Sequence, residues 1–271
     1  MIKVVFWNIK RKNLLALAGQ LALDQDADIL VLAENTRELS RVLDAINTGV
    51  PRPFISDFTP DESLVILHRY PKDSVRIVSD PSHMSIRKIT PPLGPIFLLV
   101  AVHLPSRLFR NKDDLGYLAS SFVAEIDEAR REHNCNNVIV IGDLNMNPFD
   151  DGLCAATAFH AVMDKTVALE QSRIVDGKEY RYFYNPMWSE LGDNSEGPPG
   201  TYYYRGSVIS YFWNTFDQVL ISPELVPFYA EGQKHVITQI GNRSLVENNR
   251  VANWHSDHLP IMVRLHIDIK G

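Results

Sequence analysis

The sequence predicts an α/β fold in which two packed β-sheets are flanked by helices. About ten short apolar runs typical of strands are spread along the whole chain, with few amphipathic stretches between them. Strands alternate with helices early, and the later part is rich in strands. No segment has the composition of an interdomain linker, so we expect residues 1–271 to form one domain.

Strands and helices follow from the spacing of apolar residues. The runs that predict strands are 2–7, 28–34, 63–69, 73–79, 94–105, 137–143, 216–222, 235–240 and 260–267. The stretches that predict helices are 13–23, 39–46 and 113–131. The last is the clearest, because Leu115, Leu118, Phe122 and Ile126 recur on one face and charges occupy the other.

The segment 180–213 departs from this pattern. It is dense in Tyr, Trp, Phe, Gly and Pro, and residues 196–200 read as a turn. A connection of this length inside a compact domain is more often functional than idle. Either it is a substrate platform, or its aromatic side chains pack the loop onto the core.

Composition limits the classes of function. The net charge of -6 disfavours a protein that holds nucleic acid by a broad basic surface. It permits an enzyme that acts on phosphates, since a bound cation changes the local charge. Cys135 and Cys154 form neither a zinc pattern nor a disulfide framework. With no signal-like N-terminal segment and no membrane-spanning apolar run, we expect a cytoplasmic protein without a membrane span.

Polar side chains occur where several predicted strands begin or end. They are Asn8, Glu34, His103, Asp143 with Asn145, Asp217, and Asp257 with His258. Each has a purely structural alternative when taken alone. The alternatives are a helix cap for Asn8, a surface pair with Arg37 for Glu34, a satisfied core site for His103, and polar turns for Asp143, Asn145 and residues 256–260.

The order of these residues is more informative than any one of them. The succession N-I, A-E, H-L-P, G-D-L-N, F-D-Q and S-D-H-x-P resembles the endonuclease/exonuclease/phosphatase family, which includes deoxyribonuclease-like and abasic-site nucleases. The resemblance extends from Asn8 to Pro260, and "GDLNMNP" and "SDHLP" are its specific parts. It implies a four-layered sandwich of two mixed, mainly antiparallel β-sheets packed face to face and flanked by helices.

The resemblance also implies a metal-dependent site. Glu34 and Asp257 would be ligands of Mg²⁺, with Asn8 beside them and Mn²⁺ as an alternative cation. Mg²⁺ takes few protein carboxylates and keeps several waters, which suits such a sparse set. Asp143 would orient or deprotonate the attacking water, and Asn145 would hydrogen-bond that water or the phosphate.

Two histidines complete the implied site. His258 would contact the scissile phosphate, and Asp217 would accept a hydrogen bond from its other ring nitrogen and favour the imidazolium. His103 resembles the deoxyribonuclease-like branch, in which a glutamate orients this histidine. Glu62 is a weak candidate for that glutamate, and a solvated carboxylate is the alternative.

The resemblance leaves the substrate open, because this scaffold serves several phosphoesters. We expect a Mg²⁺-dependent phosphodiesterase, foremost a nuclease acting on DNA or RNA by endo- or exonucleolytic cleavage. The alternatives are a hydrolase of a small phosphorylated metabolite or lipid headgroup, and a catalytically idle binding module. Arg37, Arg87, Tyr203 and Arg205 are the candidate substrate contacts. Solvated charge is the alternative for the arginines, and an edge strand with inward-packed tyrosines is the alternative for residues 201–207.

Overall fold

The computed structural model describes residues 1–57, 63–106, 112–193, 196–230, 232–233 and 235–266. The strands are β1 (Ile2–Asn8), β2 (Ile29–Ala33), β3 (Leu64–His68), β4 (Val75–Ser79), β5 (Met84–Ile89), β6 (Phe97–His103), β7 (Val138–Asp143), β8 (Ala161–Val162), β9 (Ser172–Val175), β10 (Lys178–Arg181), β11 (Phe183–Tyr184), β12 (Tyr202–Tyr203), β13 (Trp213–Asn214), β14 (Asp217–Ile221), β15 (Gln239–Ile240), β16 (Arg243–Ser244), β17 (Val246–Glu247), β18 (Arg250–Val251) and β19 (Ile261–Leu265). The helices are α1 (Leu15–Asp24), α2 (Leu39–Ile46), α3 (Lys112–His133), α4 (Asp151–Cys154) and α5 (Lys165–Leu169). Single 3₁₀ turns cover Lys72–Ser74, Pro186–Glu190 and Pro223–Phe228.

Two mixed sheets contain the long strands. The smaller sheet has the order β19-β1-β2-β3, in which only β1 and β2 are parallel. The larger sheet has the order β4-β5-β6-β7-β14-β11-β8, and its parallel pairs are β6–β7 and β11–β8. The remaining pairs in both sheets are antiparallel. Short hairpins β9–β10, β12–β13, β15–β16 and β17–β18 lie outside them.

The side chains of the larger sheet show how the layers stack. Ile139 and Ile141 of β7 enter the same buried cluster as β1, β2 and the apolar face of α1. Val138 and Val140, which alternate with them, pack in a second cluster with Phe122 of α3. Since successive strand residues point to opposite faces, the larger sheet has the smaller sheet on one side and α3 on the other. The predicted arrangement of two packed sheets flanked by helices is therefore confirmed.

The structure differs from the sequence prediction in several strands: the short strands β8 and β11 of the larger sheet and the small hairpins were not predicted, and two longer segments also differ. Residues 84–89 form β5, a strand that the sequence pattern does not predict because Ser85 and Arg87 interrupt its apolar residues. Both side chains are nevertheless buried. Residues 235–240 were predicted as one strand, but only Gln239–Ile240 pair as a strand, and Val236 makes a single bridge to Ile261.

No helix in the described part of the chain is long and apolar enough to cross a membrane.

Candidate active site

The predicted polar residues converge because the strands that carry them end at the same place. Asn8 at the end of β1 pairs with Ala33 of the parallel strand β2, so Glu34 follows immediately beside it. In the larger sheet, Asp143 at the end of β7 is flanked by His103 of β6 and by Asp217. Because β14 is antiparallel to β7, its first residue meets the last residue of β7. One edge of the sandwich therefore collects groups from both sheets.

Gly142 explains why a glycine precedes the aspartate of β7. A Cβ atom built at this position would lie 1.9 Å from the carbonyl oxygen of Val102 on the neighbouring strand. A side chain here would force β6 and β7 apart, and Asp143 comes directly after it. The glycine thus permits the close approach that sets Asp143 next to His103.

Asn8 links the two sheets through its side-chain amide. Its Nδ2 donates to Asp143 Oδ2 at 3.0 Å and lies 3.2 Å from Glu34 Oε1. Its Oδ1 accepts from the backbone N–H of Lys10 at 3.0 Å. The alternative reading of Asn8 as a helix cap fails, because α1 begins only at Leu15. The amide thus joins two carboxylates, one beside each sheet.

His258 and Asp217 form a buried pair. His258 Nδ1 lies 2.8 Å from Asp217 Oδ2 and 3.1 Å from Oδ1, so the ring donates to the carboxylate through Nδ1–H. Burial by itself lowers the pKa of His258, but the carboxylates of Asp217 and Asp143 outweigh it and raise the pKa to about 10. Burial raises the pKa of Asp217, and the pair with His258 opposes that rise. The pair thus holds an imidazolium at neutral pH.

The imidazolium faces the carboxylate of Asp143. His258 Nε2 lies 3.8 Å from Asp143 Oδ2, which is too long for a direct hydrogen bond, so Nε2–H can donate to a bound oxygen. Asp143 Oδ1 accepts from the backbone N–H of Asn145 at 2.9 Å, and Asn145 Nδ2 donates to Leu104 O at 2.8 Å. These bonds fix the loop that follows β7.

Several carboxylates at this edge could hold a metal ion. Asp143, Asp217 and His258 each offer a ligand atom within 4.8 Å of one another. Glu34 and Asp257 are more open to solvent, and each already has a cationic neighbour. Lys10 Nζ lies 2.6 Å from Asp257 Oδ2, and Arg11 Nε lies 3.5 Å from Glu34 Oε2.

The donor chemistry decides which of these groups fits a divalent cation. Carboxylate and amide oxygens from Glu34, Asp257 and Asn8 match the oxygen ligands that a hard cation such as Mg²⁺ prefers. His258 fits less well as a ligand, because its Nδ1 is bonded to Asp217 and its ring carries a positive charge at neutral pH. The oxygen-rich set is therefore the better match to a metal, and the histidine is better suited to an anion.

Four of the thirteen described non-glycine residues with positive φ lie at this edge. Lys10, Arg11, Glu34 and Asn145 all have φ between +49° and +55°, a region that residues other than glycine seldom adopt. Such conformations persist where surrounding contacts impose them, and they cluster at functional sites. The turn at Lys10 and Arg11 also explains why Glu34 faces Arg11 and not Arg37, the pairing that the sequence suggested as an alternative.

His103 lies beside Glu34. Its Nε2 is 3.7 Å from Glu34 Oε1, and its backbone N–H donates to His83 O at 2.9 Å. Glu62, the weak candidate for orienting His103, falls outside the described residues. Among the described carboxylates, the one that reaches His103 is that of Glu34.

The predicted substrate contacts have different fates. Arg87 is 2% exposed, and its Nη1 donates to Asp80 Oδ1 at 2.6 Å. This burial contradicts the predicted substrate contact, because the guanidinium is directed to the carboxylate of Asp80, just beyond the end of β4. Arg37 and Arg205 are exposed, and Tyr203 is half-buried. For these three residues, contact with substrate stays a prediction.

Tyr202, and not Tyr203, is the tyrosine of this hairpin whose ring lies beside His258. Its ring centroid lies 4.9 Å from that of His258, and the two residues share an isolated β-bridge. Burial, together with the nearby charge of Asp257, raises the pKa of Tyr202 to about 12, so its phenol stays protonated. Alternation along "YYY" shows that neighbouring tyrosines point to opposite faces, but it does not show which one faces the site.

Comparisons with known proteins bear on the family and the fold. The model of the Endonuclease/Exonuclease/phosphatase family matches residues 5–258. An AP endonuclease from Archaeoglobus fulgidus has a similar structure, with a TM-score of 0.56, 15% identity, and coverage of 98% of this chain and 99% of that chain. A comparison with curated proteins finds no matching sequence.

Two further similar structures were determined with DNA. A variant of the 3' phosphatase NExo from Neisseria, bound to a product DNA hairpin, has a TM-score of 0.56 and 16% identity over 98% of this chain and 99% of that chain. D. rerio TDP2, complexed with a single-strand DNA product, has a TM-score of 0.54 and 17% identity over 97% of each chain. At these identities the likeness shows the fold.

Proposed function

This chain belongs to the endonuclease/exonuclease/phosphatase family, and from that membership we propose that it is a divalent-metal-dependent phosphodiester hydrolase, most specifically a nuclease. The observation that carries the proposal is the position of the His258–Asp217 pair. His258 Nε2 lies 3.8 Å from Asp143 Oδ2, and the amide of Asn8 links Asp143 to Glu34. The imidazolium of His258, which can bind an anion, thus lies beside oxygen atoms that can bind a metal ion, and cleavage of a phosphodiester uses both. We further propose that residues 1–271 form one catalytic domain and that the protein is cytoplasmic.

The metal proposal concerns Mg²⁺, with Mn²⁺ as the alternative. Glu34 and Asp257 would supply carboxylate oxygens, with Asn8 beside them. A bound cation at such a site withdraws negative charge from a phosphoryl oxygen. Lys10 and Arg11 support this assignment, since their contacts with Asp257 and Glu34 show that both carboxylates attract positive charge.

The proposed protein groups act on the attacking water and on the phosphate. Asp143 orients the attacking water and accepts its proton, and Asn145 holds the loop and bonds the water or the phosphate. The imidazolium of His258 donates from Nε2 to a non-bridging phosphoryl oxygen, where negative charge grows in the transition state. Asp217 keeps the ring charged and correctly oriented. His103, whose Nε2 lies 3.7 Å from Glu34 Oε1, would also contact the phosphate.

The substrate proposal favours a polynucleotide. Arg37 and Arg205 are exposed cations, and Tyr203 lies in the hairpin beside the site, so they suit a chain of phosphates and bases. The similar Neisseria and D. rerio structures contain DNA products, which supports the same choice. The second candidate is a small phosphorylated metabolite or lipid headgroup, favoured by the net charge of -6. An idle binding module is disfavoured because the candidate catalytic positions carry competent side chains.

A substrate panel tests the proposal. Wild type and Asp143→Asn are incubated with supercoiled plasmid, single-stranded DNA, RNA and small phosphomonoesters, with Mg²⁺ or with EDTA. We expect cleavage of a polynucleotide by wild type with Mg²⁺, none with EDTA, and a loss of orders of magnitude for Asp143→Asn. Phosphate release from small esters with every polynucleotide intact would favour the second candidate. Full activity of Asp143→Asn would contradict the proposed roles.

A further inference from the structure

A row of aromatic rings leads from His258 to the protein surface. The Tyr202 ring lies 4.9 Å from the His258 ring, and the Tyr204 ring lies 6.4 Å from the Tyr202 ring, centroid to centroid. The planes of the two tyrosine rings differ by 27°. Tyr202 and Tyr204 lie on the same face of the β12–β13 hairpin because they are two residues apart. We call His258, Tyr202 and Tyr204 the aromatic row.

Exposure increases along the aromatic row. The His258 ring is buried, and Tyr202 is half-buried beneath the ring of Phe216, with centroids 5.3 Å apart. Tyr204 is 49% exposed. The inner rings thus support the outer one, whose ring is accessible to a flat partner from solvent.

Gly206 allows the Tyr204 ring to lie where it does. A Cβ atom at residue 206 would come within 2.3 Å of Tyr204 Oη and 2.5 Å of its Cζ. Any larger residue would push the end of the tyrosine ring aside. The backbone that carries the ring is paired as well, since Tyr204 N–H donates to Phe212 O at 2.7 Å. Tyr204 therefore has a defined position on the hairpin.

We propose that Tyr204 is a stacking site for an unpaired base of the nucleotide next to the scissile phosphate. This inference rests on the proposed function and makes the substrate a polynucleotide that is single-stranded at the cleavage point. Bases stack on aromatic rings whatever their sequence, because every base has a π-face. A base inside a duplex already has both faces stacked, so only an unpaired or terminal base can use the ring.

The neighbouring charge is consistent with this substrate. Arg205 directly follows Tyr204, is exposed, and has its guanidinium 5.6 Å from the Phe212 ring centroid. A guanidinium at that position suits the phosphate on the far side of the stacked nucleotide. Arg205 and Tyr204 are adjacent in the chain, so a phosphate contact and a base contact would neighbour each other at this hairpin, as cationic and aromatic side chains do in single-strand binders.

The test uses a short single-stranded oligonucleotide in two forms, one intact and one lacking the base next to the cleaved bond. Affinity is measured by fluorescence anisotropy with Mg²⁺ in an Asp143→Asn background, which keeps the oligonucleotide uncut. Tyr204→Ala should weaken binding of the intact form by roughly 10-fold or more. It should not weaken binding of the form that lacks the base. Tyr204→Trp should retain the affinity.

Two further variants separate stacking from general damage. Gly206→Ala keeps the tyrosine but displaces its ring, so it should reproduce part of the loss. Tyr117→Ala removes another tyrosine that is 76% exposed, on α3, and should bind like the parent. In addition, 2-aminopurine at the stacked position should be quenched on binding to the parent and not to Tyr204→Ala.

Equal weakening of both oligonucleotide forms, or no weakening of either, would overturn the stacking site. So would an effect of the same size on a fully paired duplex. If wild type cleaves polynucleotides and Tyr204→Ala cleaves and binds them equally well, the stacking site alone is wrong. If wild type neither binds nor cleaves any polynucleotide, the proposed function and the stacking site are both wrong.

Discussion

His258 and His235 are both buried, and they differ in the charge of their partners. The Nδ1 atom of His258 faces the carboxylate of Asp217, and the pKa of this ring is raised to about 10. The Nδ1 atom of His235 lies 3.0 Å from Met262 O, and its Nε2 lies 2.7 Å from the hydroxyl of Tyr229. Burial lowers the pKa of His235 to about 4, because neither partner is charged.

This contrast shows that the partner, and not the depth of burial, decides what a histidine can do. A carbonyl oxygen can only accept, so His235 carries its proton on Nδ1 and accepts from Tyr229 through Nε2. Its hydrogen bonds are complete and it stays neutral at pH 7. His258 is charged at the same pH and has Nε2–H directed to the site, so of these two histidines His258 is the one equipped to meet a phosphate.

The largest expected effect separates the two histidines by activity. His258→Gln should lower kcat/KM by about 10²- to 10³-fold, the scale of losing one preorganised donor to a transition state. His235→Gln should leave kcat/KM of the folded enzyme close to wild type. Both variants are assayed on the best polynucleotide substrate after circular dichroism has established folding. A similar loss of kcat/KM in both variants would contradict the assignment of a catalytic role to His258 and not to His235.

The second prediction concerns the pH profile. Activity that requires the imidazolium is present below the pKa of His258 and lost above it, so wild type should stay active until about pH 10. Asp217→Asn removes the carboxylate, and burial then lowers the pKa of the ring. If the pKa of His258 returns only to about 6.5, activity at pH 8 should fall roughly 30-fold. The measurement is kcat/KM against pH for both proteins, and an unmoved alkaline limb in the variant would contradict the pairing.

The third prediction concerns stability in acid. Between pH 6.5 and about 4 the unfolded chain protonates His235 and the native protein does not, so stability falls as the pH is lowered through this window. The full loss is about 3 kcal/mol. Urea unfolding at pH 7 and pH 5 measures about 2 kcal/mol of this loss, and His235→Gln is the control, because other groups also titrate there. A wild-type decline no steeper than that of the variant would be inconsistent with a neutral buried His235.

His258 should act in the opposite direction in alkali. Its folded pKa lies above the unfolded value, so its contribution is complete below pH 6.5 and is lost as the pH rises towards 10. Unfolding of wild type and His258→Gln at pH 7 and pH 9 tests this. The wild type should lose more stability over this interval than the variant does.

The smallest expected effect concerns the hydroxyl of Tyr229. Tyr229→Phe leaves Nε2 of His235 without its donor, which should cost about 1–2 kcal/mol of unfolding free energy. Turnover should be unchanged, since this histidine has no proposed part in catalysis. Urea unfolding gives the first quantity and a steady-state assay gives the second. A large fall in turnover would link this region to the site.

Much of the fold and of the candidate site was readable from strand ends. Asp143 was identifiable because a run of buried residues stops abruptly at "GDLN". Asp217 was identifiable only from its place in the ordered set of motifs. Its contact with His258 depends on β14 running antiparallel to β7, a pairing that residues far apart in the chain determine.

Other features depended on contacts that no local pattern contains. Arg87 looked like a surface cation, and Asp80, just beyond the end of β4, neutralises it. That pair also concealed β5, because a charged residue rarely occupies a buried strand. Which of Tyr202 and Tyr203 faces the site depends on how the two-residue strand β12 is oriented, and a run of identical residues does not reveal that orientation.

The amide of Asn8 reaches carboxylates that belong to different sheets, which makes the distance between the sheets a catalytic variable. A substitution deep in the shared core that spreads the layers by a fraction of an ångström would separate Glu34 from Asp143 while the protein remains folded. Mild heating or low denaturant should therefore abolish turnover before any spectroscopic sign of global unfolding.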